Sequence, residues 1–353
     1  MIDETVKRKL QRMRRFFCEP GRGKLLVQLC VPGQDLCDAQ LLPEHLEGGW
    51  QPYLERRAEQ FAAFVEGRAW LDDDWLPVLH PWYGAAELAA YLPARVEFGA
   101  GTCWTIPSLP SAREFAPPLI DAASALLRNH LEVLAFVRSL AEGRFLVGLR
   151  GTYSPLEVAS ALVGSNLLYD LVDSAEALEG LLSAAVEAAA WHTQRQLEAT
   201  GLYDGGTVNG YLKLWFPGKC AVHVIEDFAC LISTEMFQRF GAPADAQLFA
   251  RFDGGQVHTH NLGWHQLRAF ARIPGILMVE IAEDPNVQPT VERLPELFEA
   301  VGEVPVFLTL SADQFRTSVP QLALGNAVVR VAEPLSRREA LELLSLARER
   351  WRA

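Results

Sequence analysis

The stretch Gln256–Ile281, QVHTHNLGWHQLRAFARIPGILMVEI, decides how the chain is read. It holds two β-branched runs, Gln256–His260 and Leu277–Ile281, separated by a connection of helical length. The second run is almost unbroken in apolar residues, which suits a parallel strand covered on both faces. The same unit recurs outward in both directions. Toward the C-terminus follow Val304–Leu310 (VPVFLTL) and Ala327–Ala332 (AVVRVA). Toward the N-terminus stand Ala221–Glu226 (AVHVIE), Phe145–Leu149 (FLVGL), Trp75–His80 (WLPVLH) and Lys24–Cys30 (KLLVQLC). Helical patterns fill the gaps over Asp121–Leu140, Ser174–Glu198, Thr290–Val301 and Ser336–Arg352, where apolar residues recur at three- and four-residue spacing. Ser336 and Glu339 have the spacing of a capping box. Eight strands alternating with helices predict an α/β chain folded as a (β/α)8 TIM barrel. An open doubly wound sheet is the alternative, but no glycine fingerprint opens a helix after the first strand. Residues 1–20 are expected to form an N-terminal helix and residues 21–349 the barrel, one domain over 1–353. The long loops after early strands are expected at Val31–Tyr53 and Gly99–Pro118.

Composition narrows the partners. The 353 residues are 50% hydrophobic and 22% charged, a globular balance. Lys and Arg total 32 against 44 Asp and Glu, for a formal charge of −12, so the chain lacks the basic footprint that nucleic acid requires. No apolar run is long enough to span a bilayer. The charged start MIDETVKRKLQRMRRFF has no secretory core behind it, and a cytoplasmic location is expected. Six cysteines occur without a CxxC pair and are expected to be reduced thiols, mostly buried.

In a β/α barrel the active site lies at the carboxyl ends of the strands. Those ends offer Gln28, Asp72–Asp74 and His80, Arg150, Glu226–Asp227, His258 and His260, Glu280, Thr309 and Arg330. His258-Thr259-His260 is the sharpest signal, because residues i and i+2 of a strand share a face and both imidazoles can converge on one ion. Glu280 ends the next strand and Glu226 or Asp227 the previous one, so either side can add a carboxylate ligand. The bland alternative is one histidine bonded to a loop and the other packed in the core. Two adjacent carboxylates at Glu226-Asp227 are costly unless paired, solvated or metal-bound, and they read as a base, a ligand or the cap of a helix near Ser233–Phe240. Arg150 can clamp a substrate carboxylate or serve a structural bridge to Glu226 or Glu280. Asp72–Asp74 reads as a solvated turn with a helix or strand cap more than as a catalytic cluster. His80, Tyr83, Trp104 and Tyr153 are candidates for the substrate wall, with Trp82 beside them.

These residues carry a family likeness. The stretches Trp75–Leu109, Gly151–Leu182, Glu226–Leu267 (EDFACLISTEMFQRFGAPADAQLFARFDGGQVHTHNLGWHQL) and Val328–Glu349 (VVRVAEPLSRREALELLSLARE) resemble the uroporphyrinogen decarboxylase superfamily, which includes zinc- and corrinoid-dependent methyltransferases. The likeness runs from Gly21 to Glu349 as an order of elements. The sequence departs from authentic decarboxylases of that family in having VPGQDLCD (Val31–Asp38) where they carry an arginine-rich loop. LGNAVVRV (Leu324–Val331) likewise replaces their Gly-His-Gly-type turn. A tetrapyrrole with many carboxylates needs such cations. The zinc methyltransferases have H-x-C in the fifth strand and a later cysteine; here His258 matches the histidine, His260 stands for the cysteine, and the Asn326 region takes the late position. The resemblance implies a metal, zinc first, held by nitrogen and oxygen instead of thiolates. It also implies a corrinoid supplied by a partner protein.

The leading expectation is therefore a metal-dependent transfer of a methyl or other one-carbon group involving a small substrate. His258, His260 and Glu280 would bind the metal, and Glu226, Asp227, Asp73 and Arg150 would supply catalytic groups. A metal-free decarboxylase or lyase of a small carboxylated substrate, porphyrin-like or other, is the first alternative, with Asp73 or Asp74 as its acid/base. A hydrolase using Glu226 and Glu280 and a non-catalytic ligand-binding barrel are the others. A homodimer is compatible with all of them.

Overall fold

The computed structural model describes residues 4–99 and 101–350. The expected N-terminal helix spans Glu4–Cys18, and the C-terminal one spans Arg337–Arg350, opened by the Ser336/Glu339 capping box. Residues 1–3 and 351–353, which fell within the two expected helical segments and the domain range, lie outside the described residues.

Fourteen strands are present among the described residues: β1 Leu25–Leu29, β2 Asp38–Gln40, β3 Val78–Trp82, β4 Arg95–Gly99, β5 Thr102–Ile106, β6 Leu146–Val147, β7 Thr152–Tyr153, β8 Gly206–Asn209, β9 Leu214–Pro217, β10 Ala221–Ile225, β11 Gly255–His260, β12 Ile276–Ala282, β13 Val306–Leu310 and β14 Ala327–Val331. Seven form a parallel sheet in the order β1-β14-β13-β12-β11-β10-β7, and a separate three-stranded ladder runs β2-β3-β6. This is an α/β architecture around a central parallel sheet, consistent with a TIM-like fold. All eight expected strands are found.

The third of them is split. Leu149 N–H donates to Val208 O and Gly210 N–H donates to Leu149 O, both at 2.8 Å, so the hairpin β8–β9 takes over the strand's hydrogen bonds between β6 and β7. That approach needs glycine on both sides: a Cβ on Gly148 would stand 2.5 Å from the Gly210 nitrogen. A second hairpin, β4–β5, occupies part of the segment expected as loop.

Alternation along the sheet produces two cores. Val27, Val257, Val279, Val306 and Val329 face the helices. Leu26, Met278, Phe307 and Val328 face the opposite way and pack with Leu212, Trp215 and Phe216 of the hairpin segment. The free edge of β1 is finished by side chains. Asp74 Oδ2 accepts from Val27 N–H (2.9 Å), Asp73 Oδ2 accepts from Leu29 N–H (2.8 Å), and Asp74 N–H donates to Val27 O (2.8 Å). All six cysteines are free thiols; Cys37, Cys103 and Cys220 are buried, whereas Cys18 is exposed and Cys30 and Cys230 are half-buried.

Candidate functional site

The face that carries Leu26, Met278, Phe307 and Val328 continues, toward the carboxyl ends of the strands, with Gln28, Glu280, His258, His260 and Arg330. Strand register sets these side by side: His258 lies opposite Glu280 across β11–β12, and Arg330 opposite Gln28 across β14–β1. An apolar layer gives way to a polar one within a single step of the alternation. The site is built there.

His258 and His260 share the face as their spacing requires, with ring centroids 5.2 Å apart and planes at 88°. Their Nε2 atoms approach one carboxylate oxygen, Asp227 Oδ1, at 3.7 and 3.6 Å. That oxygen is buried and has no hydrogen-bond partner among the described residues. Each imidazole is backed at its other nitrogen by a second carboxylate. His258 Nδ1 lies 3.0 Å from Glu280 Oε2, and His260 Nδ1 lies 2.8 Å from Asp284 Oδ1. Burial disfavours a charged His258, but Glu280 and then Asp227 outweigh it, and the pKa of His258 rises. Burial alone would raise Glu280 too; His258 and His223 hold it well below the usual carboxylate range.

The expected trio His258, His260 and Glu280 does not form around one point. His258 stands between two groupings of potential ligands: Asp227, His258 and His260 on one side, and His223, His258 and Glu280 on the other, each with its ligand atoms within 4.8 Å of one another. His223 Nδ1 is 3.4 Å from Glu280 Oε2, and burial lowers its pKa. Its backbone sits at φ 49°, in the left-handed region that a non-glycine residue rarely adopts. This twist coincides with a register shift between Ala221 and Val224, which turns the ring toward His258 at 4.9 Å.

The other candidates take different places. The helix near Ser233–Phe240 is capped by Ser233, whose Oγ accepts from Met236 N–H, and Asp227, at the head of the 3-10 turn Phe228–Leu231, makes no side-chain cap bond. Glu226 is fully buried and faces the helix Ala242–Phe249, where Asp245 is also fully buried; none of their four carboxylate oxygens has a hydrogen-bond partner among the described residues. Burial raises the pKa of both, and for Glu226 the neighbouring Asp245 raises it further. The native state therefore holds protons that the unfolded chain releases. Stability from this pair is complete below the ordinary carboxylate pKa and is lost as pH rises through the elevated native one. Asp245→Asn is expected to raise the melting temperature by about 2–4 °C at pH 8, with a gain that shrinks steadily as pH falls toward the ordinary carboxylate pKa; calorimetry across that pH range checks this.

Arg150 is buried and pairs with neither Glu226 nor Glu280. Its Nη1 donates to Glu87 Oε2 at 2.8 Å, and Glu87 also accepts from Tyr83 N–H. Asp73 is wholly buried, with its oxygens taken by Arg68 (2.7 Å), Lys9 (3.3 Å) and the Leu29 N–H, so its carboxylate is placed to fasten the β1 edge instead of meeting a substrate. Asp74 pairs with Arg12, and Asp72 is half-buried between Arg12 (3.2 Å) and Arg348 (2.9 Å). His80 is buried with Nδ1 3.4 Å from Asp38 Oδ1, and burial lowers its pKa to about 4. Tyr83 and Tyr153 are buried, whereas Trp104 is 46% exposed on β5.

Sequence reasoning missed His223, Asp284, Asp245, Asp38 and the hairpin that carries Tyr211 and Lys213. The hairpin had a signal in Asn209-Gly210 between apolar runs, the commonest short-turn dipeptide. His223 had a weaker one, as the lone polar residue inside AVHVI.

The assembled features define an α/β protein with a histidine–carboxylate cluster at the carboxyl ends of a parallel sheet. Among solved structures the chain is similar to a methyltransferase from Methanosarcina mazei, with a TM-score of 0.63 and 16% identity, covering 99% of this chain and 100% of that one. At that identity the likeness is one of fold. No protein-family model matches the sequence, and no curated protein matches it. Among the described residues no helix is long and apolar enough to cross a membrane.

Proposed function

We propose that the protein is a metal-dependent enzyme that transfers a methyl or other one-carbon group, built as a closed (β/α)8 barrel whose β1–β3 seam is fastened by Asp73 and Asp74. The observation that carries this reading is the convergence of His258 Nε2 and His260 Nε2 on the unpartnered, buried Asp227 Oδ1. Two imidazoles and one carboxylate suit zinc or a similar divalent ion, and they leave coordination positions for a substrate. Glu280 and Asp284 fit the outer carboxylates that fix the tautomer and direction of metal-binding histidines. Bound there, the cation would act as a Lewis acid that lowers the pKa of the accepting nucleophile.

The chain's own residues do the rest. Asp284, hydrogen-bonded to His260 Nδ1, and Glu280, 3.0 Å from His258 Nδ1, favour protons on those nitrogens, which would leave both Nε2 lone pairs free to hold a cation. The apolar layer of Met278, Phe307 and Val328 closes the floor beneath it against water. The fold likeness to a methyltransferase supports methyl transfer over other one-carbon chemistry, and the donor implied by the family resemblance is a corrinoid on a partner protein. A metal-free lyase is the second reading, favoured by the raised pKa of His258, which lies between Glu280 and Asp227 as a proton donor would.

Metal analysis of the purified protein separates them. About one equivalent of a divalent cation is expected in the wild type, and little in the His258→Ala/His260→Ala double variant. Equal metal content in the two proteins would remove the metal-dependent reading, and activity that survives chelation would establish the lyase.

A further inference from the structure

Three buried or half-buried cations of the described residues differ in their electrostatic balance. Arg150 is answered by Glu87 at 2.8 Å, and Lys213 by Asp38 at 2.9 Å. Arg330 has no carboxylate within 4 Å among the described residues. Its Nε donates to Gln28 Oε1 (3.1 Å) and its Nη2 to the carbonyls of Tyr211 and Leu212 (3.3 and 2.8 Å), all neutral acceptors, while Nη1 has no protein partner among the described residues. The guanidinium lies over the Phe307 ring, 4.9 Å from its centroid, half-buried at the carboxyl end of β14. A guanidinium partly withdrawn from water without a counter-charge is costly, and an anion that enters the site repays that cost.

Beside it an aromatic surface leads to the histidine cluster. Tyr211 follows the Asn209-Gly210 turn, is 42% exposed, and lies against His223 with ring centroids 4.5 Å apart. His223 in turn neighbours His258 at 4.9 Å. Arg330 holds this tyrosine's own carbonyl, so the cation and the ring are fixed relative to each other. Lys213, two residues on, adopts φ 54°, a conformation that lets the tip turn back toward Asp38.

We infer that Arg330 and Tyr211 form a subsite for the anionic head of a small organic substrate, whose body lies across the Tyr211 ring and whose reacting end reaches His258 and His260. The inference rests on reading this cluster as the reaction centre. Three strand spacings of about 4.8 Å separate β14 from β11, roughly 14 Å along the sheet, and side chains that project inward shorten the span. A chain of a few carbons between head and reacting end fits that span. The planar guanidinium can accept a carboxylate, sulfonate or phosphonate head.

The test uses the full-length protein, stripped of metal by chelation, with butyrate, propanesulfonate and propylphosphonate as probes in titration calorimetry. At least one probe is expected to bind saturably. Arg330→Gln is expected to weaken it about tenfold or more, while its metal content before chelation stays that of the wild type. Metal content keeps the two readings apart: loss of metal in the His258→Ala/His260→Ala variant concerns the ion site, and loss of the anion in Arg330→Gln at unchanged metal content concerns Arg330. Failure of all three probes to bind the wild type overturns the proposal, and so does undiminished binding by Arg330→Gln. If that variant does not melt cooperatively, Arg330→Lys decides. It is expected to bind more weakly and to change the preference among the three heads, and wild-type affinity and preference in that variant overturn the proposal. A residue that only pinned the hairpin would alter melting and leave head preference untouched.

Discussion

Asp73→Ala is expected to destabilise the protein by about 3–5 kcal/mol, the cost of breaking a buried ion pair from one side. Arg68 and Lys9 are both nearly inaccessible, so removing the carboxylate leaves two desolvated cations without a counter-charge and the Leu29 N–H without an acceptor. Burial opposes the charge of Asp73, yet Arg68 and then Lys9 overcome it and hold its pKa below the usual range. Its stabilisation is therefore complete above the ordinary carboxylate pKa and is lost as pH falls through the lower native one. Urea unfolding at pH 7 should show the loss, and the difference between wild type and variant should shrink in acid. An Asp73→Ala protein as stable as wild type at pH 7 would mean that the β1 edge is held by other contacts.

The second large effect separates the two ligand groupings around His258. If the ion sits between Asp227, His258 and His260, His260→Ala removes a first ligand and should lower metal affinity by about tenfold to a hundredfold or more, since substituting even an outer partner costs that much. His223→Ala should leave the affinity near that of the wild type. Glu280→Gln should produce an intermediate loss, because it weakens only the backing of His258 Nδ1. The reverse order, with His223→Ala severe and His260→Ala mild, would move the ion to the His223 side. Competition with a chromogenic chelator measures all three variants on one scale.

The repeat of apolar runs and helices made the sheet legible, because parallel strands buried on both faces leave little choice of residue. The His258/His260 pair and its neighbour Glu280 were legible for the same reason: alternation and strand order fix which side chains stand together. What alternation does not encode was lost. The backbone twist at His223 breaks the register that a reader would extrapolate, so its ring enters the cluster from a strand read as apolar. Arg150 was matched to acids on neighbouring strands, whereas Glu87 meets it from a short helical turn after β3, a contact made by loop geometry alone. Glu226 was counted at a strand end beside Asp227, yet consecutive residues face opposite ways. One carboxylate meets the histidines and the other meets Asp245 behind the sheet. The hairpin at 206–217 went unread although Asn209-Gly210 announced it, and with it went the aromatic surface of Tyr211.

The carboxylates along β1 have a kinetic consequence for single amides. Val27 and Leu29 lie on a strand, yet their N–H groups are shielded from deuterium by side chains that titrate, not by a neighbouring backbone. Burial raises the pKa of Asp74, and cationic partners lower that of Asp73. On acidification the shield over Val27 should therefore fail before the shield over Leu29. Two amides with one residue between them would then exchange at different acidities, and the free edge of β1 would loosen from one end while the strand keeps its pairing with β14.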